Sequence, residues 1–453
     1  MSKLTIIGAG SAVFTKNIFT DLMFFDSFKR MDIALVDIDE KRLKMCHELL
    51  DVIASKFGAS PNIKSYTDRR EALVGSDFIQ TTIQVGGYKP STVIDFEIPN
   101  QFGLKQTIAD TLGIGGVMRG LRTIPILVDI GKDIMELCPN ALWLQYVNPM
   151  CSNMIAINKV CPGINTIGLC HSVQGTAEML ANDLNEKIED IDYECAGINH
   201  MAFYRKFVKK NDNGEEDLYP KLKILAEDIL RDKKKSSRSS NIDKESKKIL
   251  HEKVRYEILR RFGYFVTESS EHFAEYVPWF IKKNRNDLIE QYKIPIGEYI
   301  DRCENNIKLW NDLEKDITPI HNEPLKRSNE YASYIMNSVI NNIDLKINGN
   351  VMNNNYIDNL PKNCCIEIPC EVNSSGYKPK TIGRLPEHLA ALMRTNINVQ
   401  ILTAEAAISQ KKEHIYHAAM LDPLTGANLS IDEIYSMVDK LIEAHQNYLP
   451  KYN

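Results

Sequence analysis

The sequence predicts an α/β protein: a doubly wound, mainly parallel sheet followed by a mixed α+β part. Three observations predict it. In the first half, short apolar runs alternate with helical patterns, as in a parallel sheet covered on both faces. The first apolar run ends in a glycine pair, "LTIIGAGS". From about Tyr193 the alternation gives way to long helical patterns, extended segments such as "NCCIEIPCEV", and loops. The division expected is therefore residues 1–192 and residues 193–453.

Taken in order, "KLTIIGAG" reads as a strand and turn, with a helix from about Thr15. "DIALVDID" is a second strand, followed by a helix around Lys41 to Phe57. "DFIQTTI", "ALWLQYVNPM" and "INTIGLCH" are further strands. "RDKKKSSRSSNIDKESKK", from Arg231 to Lys248, has almost no apolar residues and reads as a solvated or mobile loop. "NNNYIDNLPKN" reads as turn and loop, and there is no solenoid-like repeat.

The chain has 453 residues, 43% of them hydrophobic, enough for a large core. At roughly 150 residues per domain this means two or three domains, or one composite unit. A net charge of -5 gives no general electrostatic reason to bind nucleic acid or an anionic membrane, so a small neutral or polar ligand fits better. The opening "MSKLTIIGAGS" breaks at Gly8, too early for a signal-peptide core. No apolar run reaches the roughly 18 residues of a spanning helix. A cytoplasmic location is expected, and with it ten cysteines kept as buried thiols or metal ligands rather than disulfides.

In "LTIIGAGSAVF", Gly8, Gly10 and Ser11 lie between strand and helix, where bare backbone and a helix N-terminus can receive a pyrophosphate. This is a Rossmann-like nucleotide site, although Val13 takes the third glycine position of the usual motif. Asp37, ending "IALVD", can accept both ribose hydroxyls and repels a 2'-phosphate, which favours NAD over NADP. A second cluster, "DTLGIGGVMRGLR", is a candidate close-approach loop, and "YVNPM" puts Asn148 at another strand end. Lactate and malate dehydrogenases have an Asn-Pro at such a place, so the fold is expected to be dehydrogenase-like and a 2-hydroxy acid dehydrogenase is one reading.

Cys170 ends "INTIGLC" on the same sheet edge, and His200 follows in "CAGINHMAF". Thiolate and imidazole together suit a borderline divalent metal and leave coordination positions open. By spacing alone a core cysteine and a satisfied histidine remain an alternative.

"TIADTLGIGGVMRGLRTIP", "YVNPM", "GLCHSVQGTAE", "CAGINHMAFY", "GYFVTESSEHFAEYVPWF" and "LPEHLAALMRTNINVQ" resemble the family 4 glycoside hydrolases, most closely their α-galactosidases. The likeness covers nearly the whole chain. It implies NAD and a divalent metal, usually Mn2+, and cleavage by elimination and addition. Hydride leaves sugar C3, a base takes the C2 proton, the aglycone departs, water adds, and the hydride returns. The resemblance assigns Cys170 and His200 to the metal and Asp110 and Asn148 to the sugar. It makes Tyr276 the base, with Tyr264 as the alternative. Family members often have aspartate or asparagine after the cysteine; here His171 stands there, an imidazole that can serve as the acid for the leaving oxygen, and His272, near Tyr276 in sequence, is a candidate support. It also implies a small oligosaccharide substrate such as a melibiose-like α-galactoside, and a homodimer or homotetramer. Rival activities are an α-glucosidase, an α-glucuronidase or galacturonidase, a 6-phospho-glycosidase, and, outside enzymes, a nucleotide sensor that keeps only the Rossmann half.

Overall fold

The first strand, β1 (Lys3–Ile7), is buried along its last four residues and lies between β2 (Asp32–Val36) and β4 (Phe78–Thr81), parallel to both. The computed structural model describes residues 2–212, 214–315 and 324–453; the side chains of Ala12 and Val13, and so the third motif position, lie outside the described residues. β3 (Asn62–Tyr66) flanks β2, while β5 (Leu142–Gln145) and β6 (Thr166–Gly168) extend the other side, giving the order β3-β2-β1-β4-β5-β6. This is the doubly wound arrangement whose ligands sit beyond the carboxyl ends of the strands. β4 and β5 are buried at every position, as strands covered on both faces should be.

The helices between strands follow the expected pattern, with one shift. The first runs Ala12–Met23, three residues earlier than expected, because Ser11 already stands at its N-cap. Glu40–Lys56 is capped by the Asp39 carboxylate, which accepts from the N–H groups of Lys41 and Arg42. β3 was not anticipated: "NIKSY" lies at the sheet edge and has no buried residue.

The sheet does not stop at β6. β7 (Ile191–Ile198) and β8 (Met201–Asn211) form an antiparallel hairpin, with β9 (Gly214–Asp217) beside β8. β10 (Leu345–Met352) and β11 (Cys365–Asn373) bridge the gap, so that β6-β10-β11-β7-β8-β9 continues the parallel half; β12 (Gly376–Pro379) pairs with β11. The expected boundary at 192/193 thus falls inside β7. Across the parallel half lies the helix Gly113–Leu137, with Glu387–Ser409 and Met150–Val160 against it.

The charged stretch Arg231–Lys248 is irregular apart from one short turn at Ser237–Ser240, and most of it is exposed, as expected of a solvated loop. Ser236, Ser239 and Ser246 are nevertheless buried and anchor it. Arg238 reaches in to Glu252 (2.7 Å) and Glu271 (2.6 Å), both fully buried. Burial opposes the guanidinium charge, but the two carboxylates outweigh it and hold its pKa well above the ordinary value. Arg238→Ala strands the Glu271 carboxylate and is expected to lower unfolding free energy by about 3 kcal/mol, read from a denaturant midpoint. All ten cysteines are free, and no helix is long and apolar enough to cross a membrane among the described residues.

Candidate active site

At the carboxyl end of β1 the chain turns at Gly8, whose φ of +87° favours glycine and where an added Cβ would lie 2.4 Å from the Thr82 carbonyl oxygen. Gly10 is as constrained: its N–H donates to Asp37 Oδ2 at 2.7 Å, and a Cβ would strike that carboxylate. Asp37 thereby braces the turn while remaining half-buried at the end of β2. Ser11 makes no side-chain cap, which leaves the first helical N–H groups available to an anion.

Beyond β6 the chain presents Cys170 and then His171, which stands at the N-cap of the helix Ser172–Asp183. His200 lies in the two-residue turn of the β7-β8 hairpin, held at φ +63°. A left-handed backbone in a non-glycine residue costs roughly 1–2 kcal/mol, and such strain gathers at functional sites. Here it turns the imidazole to Cys170, with Sγ to Nε2 at 3.3 Å.

A third group completes the cluster. Residues 266–267 pair with the start of β8 through the Phe203–Val266 bridge and the Thr267 N–H to the Ala202 carbonyl, 2.8 Å. That pairing sets Glu268, also left-handed at φ +63°, beside His200, with Oε2 3.5 Å from Nε2. The ligand atoms of Cys170, His200 and Glu268 lie within 4.8 Å of one another, a spread that a divalent ion can span. Burial lowers the His200 pKa to about 4, so its ring is neutral and ready to coordinate. Burial opposes ionisation of Glu268, but His272, His200 and His171 prevail and hold the carboxyl well below its usual range. The Cys170 thiol is pushed up by burial and by Glu268 and Glu367.

On the other side of His200, Nδ1 lies 3.1 Å from Thr111 Oγ1 and 3.2 Å from the Tyr276 hydroxyl. With Nε2 turned to the cluster, Nδ1 is left to carry the proton. Tyr276 is fully buried at the end of the helix Ser270–Tyr276. Tyr264 does not share the site: it packs on Tyr219 and His388, ring centroids 6.0 and 6.2 Å away. His272 is in the site, its ring 5.0 Å from that of His200, with Nδ1 2.8 Å from Ser269 Oγ.

Asp110 follows Ala109, which is left-handed, in a loop whose backbone N–H groups at Thr107, Ile108 and Ala109 all donate to the buried Glu275 carboxylate. Asn148 Nδ2 donates to Asp110 Oδ2 at 3.1 Å. Burial opposes the Asp110 charge, but Arg119, His272 and His200 outweigh it and keep the carboxyl ionised. His171 stands at the rim, its side chain 56% exposed, with Nδ1 3.2 Å from Glu330. Partial desolvation opposes the cation, yet the hydrogen bond and charge of Glu330, joined by Glu268, raise the imidazole to about 9.

The structure therefore gathers Cys170, His200, Tyr276, Asp110, Asn148 and His272 around one centre, with His171 beside it. Sequence reasoning missed Glu268, Thr111, Arg119, Glu275 and Glu330. For Glu268 and Glu275 a signal existed, since "VTESSEHFAEY" carries carboxylates through an apolar stretch.

The family 4 glycosyl hydrolase model matches residues 3–186, and the model of that family's C-terminal domain matches residues 195–425. The chain belongs to glycosyl hydrolase family 4. Among the family's curated relatives, an α-galactosidase of Bacillus subtilis (strain 168) is 45% identical over all of both chains. An α-galactosidase of Rhizobium meliloti (strain 1021) is 33% identical over 99% of this chain and 89% of its own. A 6-phospho-α-glucosidase from gut microorganisms, solved in complex with NAD and Mn2+, superposes with a TM-score of 0.82 over 100% of both chains at 18% identity, which establishes the shared fold.

Proposed function

We propose that this family 4 protein is an α-galactosidase that depends on NAD and a divalent metal, Mn2+ by preference. The observation that carries the reading is the Cys170–His200–Glu268 cluster at the same strand ends as the Gly8–Gly10 turn, with the Tyr276 hydroxyl on the far side of His200. A simple dehydrogenase has no use for a thiolate there. The galactoside preference is supported by the name shared by the 45% and 33% identical relatives.

The residues fit both absent groups. The strained Gly8 turn, the uncapped helix start and the Asp37 carboxylate suit a dinucleotide, and sulfur, imidazole and carboxylate together suit a borderline divalent ion. When bound, NAD would take and return a hydride at sugar C3, and the metal would polarise the oxygens at C2 and C3.

The chain's own groups do the rest. Asp110, anionic and steadied by Asn148, accepts from a sugar hydroxyl. Tyr276 removes the C2 proton. Burial and the charges of Asp110, Glu275 and Glu268 push its phenol well above 10, so a compensating cation in the neighbouring cluster is required for it to act at neutral pH. His171, at the exposed rim where an aglycone can leave, gives its proton to the glycosidic oxygen. Residues 1–192 supply the nucleotide cradle and residues 193–453 supply His200, Glu268 and Tyr276. The same reading makes the protein a cytoplasmic homodimer or homotetramer acting on small oligosaccharides.

Glu330→Gln removes a negative partner from His171, which lowers the imidazole pKa whatever else is bound. The alkaline limb of the kcat/KM profile is expected to move down by about one pH unit. An unmoved limb would separate His171 from the acid role. The mechanism itself is tested by hydrolysis in D2O: elimination and addition place deuterium at C2 of the released galactose, whereas direct displacement at C1 leaves C2 unlabelled.

A further inference from the structure

The strands that carry Cys170 and His200 do not touch. β6 leads to Cys170 and β7 to His200, and β10 and β11 stand between them. Each junction has a single rung, Gly168 with Asn350 and Gly197 with Glu367, while Asn350 and Glu367 are themselves directly paired. A row Gly168–Asn350–Glu367–Gly197 thus crosses the sheet just before the two ligands.

The two central positions are polar and fully buried. Directly paired residues on antiparallel strands project to one face. Asn350 Nδ2 donates to the Gly168 carbonyl at 3.3 Å and points to Glu367 Oε1 at 3.5 Å. In the turn beside His200, the Asn199 amide is fully buried, and its two polar atoms, Glu367 Oε2 and Asn350 Oδ1 have no hydrogen-bond partner among the described residues.

An apolar pair would fill these positions without the penalty that a poorly satisfied buried polar group carries. What the polar pair adds is directional restraint. A junction of one backbone rung specifies register weakly, and a one-residue slip would turn Cys170 or His200 to the opposite face. The hydrogen bond from Asn350 to the β6 backbone on one side, and on the other the pairing of Glu367, itself held by Asn350, with Gly197 just before the His200 turn, oppose such a slip.

We propose that Asn350 and Glu367 are positioning residues that hold Cys170 and His200 at the separation a divalent metal requires. This rests on the metal reading of the cluster. The test is titration of the NAD-loaded protein with Mn2+, followed by the free-ion electron paramagnetic resonance signal, together with the thiolate-to-metal absorption of the Co2+ form. Glu367→Ala is expected to weaken Mn2+ binding about 10–100-fold and to shift or erase the thiolate band, as loss of support behind a ligand does. NAD affinity should be unchanged. Glu367→Gln, which keeps shape and a donor, should retain both signals. If Glu367→Ala does not fold, Asn350→Ala carries the same expectation. A folded variant with native Mn2+ affinity and an unaltered thiolate band overturns the positioning role while leaving the metal site standing. A wild-type protein that binds no Mn2+ overturns the metal reading itself.

Discussion

Cys170→Ser is expected to reduce α-galactosidase kcat/KM by at least about 10³-fold, equivalent to losing several kcal/mol of transition-state charge stabilisation. The variant should fold normally, because Cys170 is only half-buried and its Sγ faces His200 Nε2 rather than packed core. It should bind NAD as the wild type does, since the Gly8 turn and Asp37 belong to β1 and β2 and do not depend on β6. The loss should appear as weakened Mn2+ affinity, so that raising the metal concentration restores part of the rate. Retained activity and Mn2+ affinity would remove Cys170 from the metal.

Tyr276→Phe separates proton removal from binding. Its hydroxyl is the only atom lost, and His200 Nδ1 keeps Thr111 as a neighbour at 3.1 Å, so the metal cluster should survive. kcat is expected to fall by about 10²–10⁴-fold, the range of a general base, with Mn2+ and NAD affinities near native. Tyr264→Phe should be close to wild type, because that ring packs on Tyr219 and His388 away from the cluster. If the two variants behave alike, Tyr276 is not the base.

The parallel half of the fold was legible because its strands are short, apolar and separated by helices, and because Gly8 and Asp37 fall at strand ends where period and punctuation coincide. β3 was not, since a polar edge strand carries no alternation to read. Nor was the join between the halves: β10 and β11 come from far along the chain to pair beside β6, and no local pattern records a long-range strand pairing.

The site divides in the same way. Cys170 and Asn148 stand at strand ends, His200 offered an imidazole to pair with the Cys170 thiolate, and Asp110 and Tyr276 were legible only through the family likeness. Glu268 depends on a left-handed backbone and on pairing with the β7-β8 hairpin, both set by tertiary structure. Arg238 was not legible either. The basic, serine-rich stretch is mostly solvated, as its composition says, yet two buried carboxylates draw one of its arginines inward.

In this chain a Rossmann-like nucleotide site serves hydrolysis rather than net redox chemistry. The most direct measurement is turnover of a chromogenic α-galactoside by protein freed of nucleotide and metal, then resupplied with NAD, Mn2+ and a thiol reductant singly and together. Turnover is expected only when NAD and Mn2+ are both present. Full turnover without NAD would contradict it.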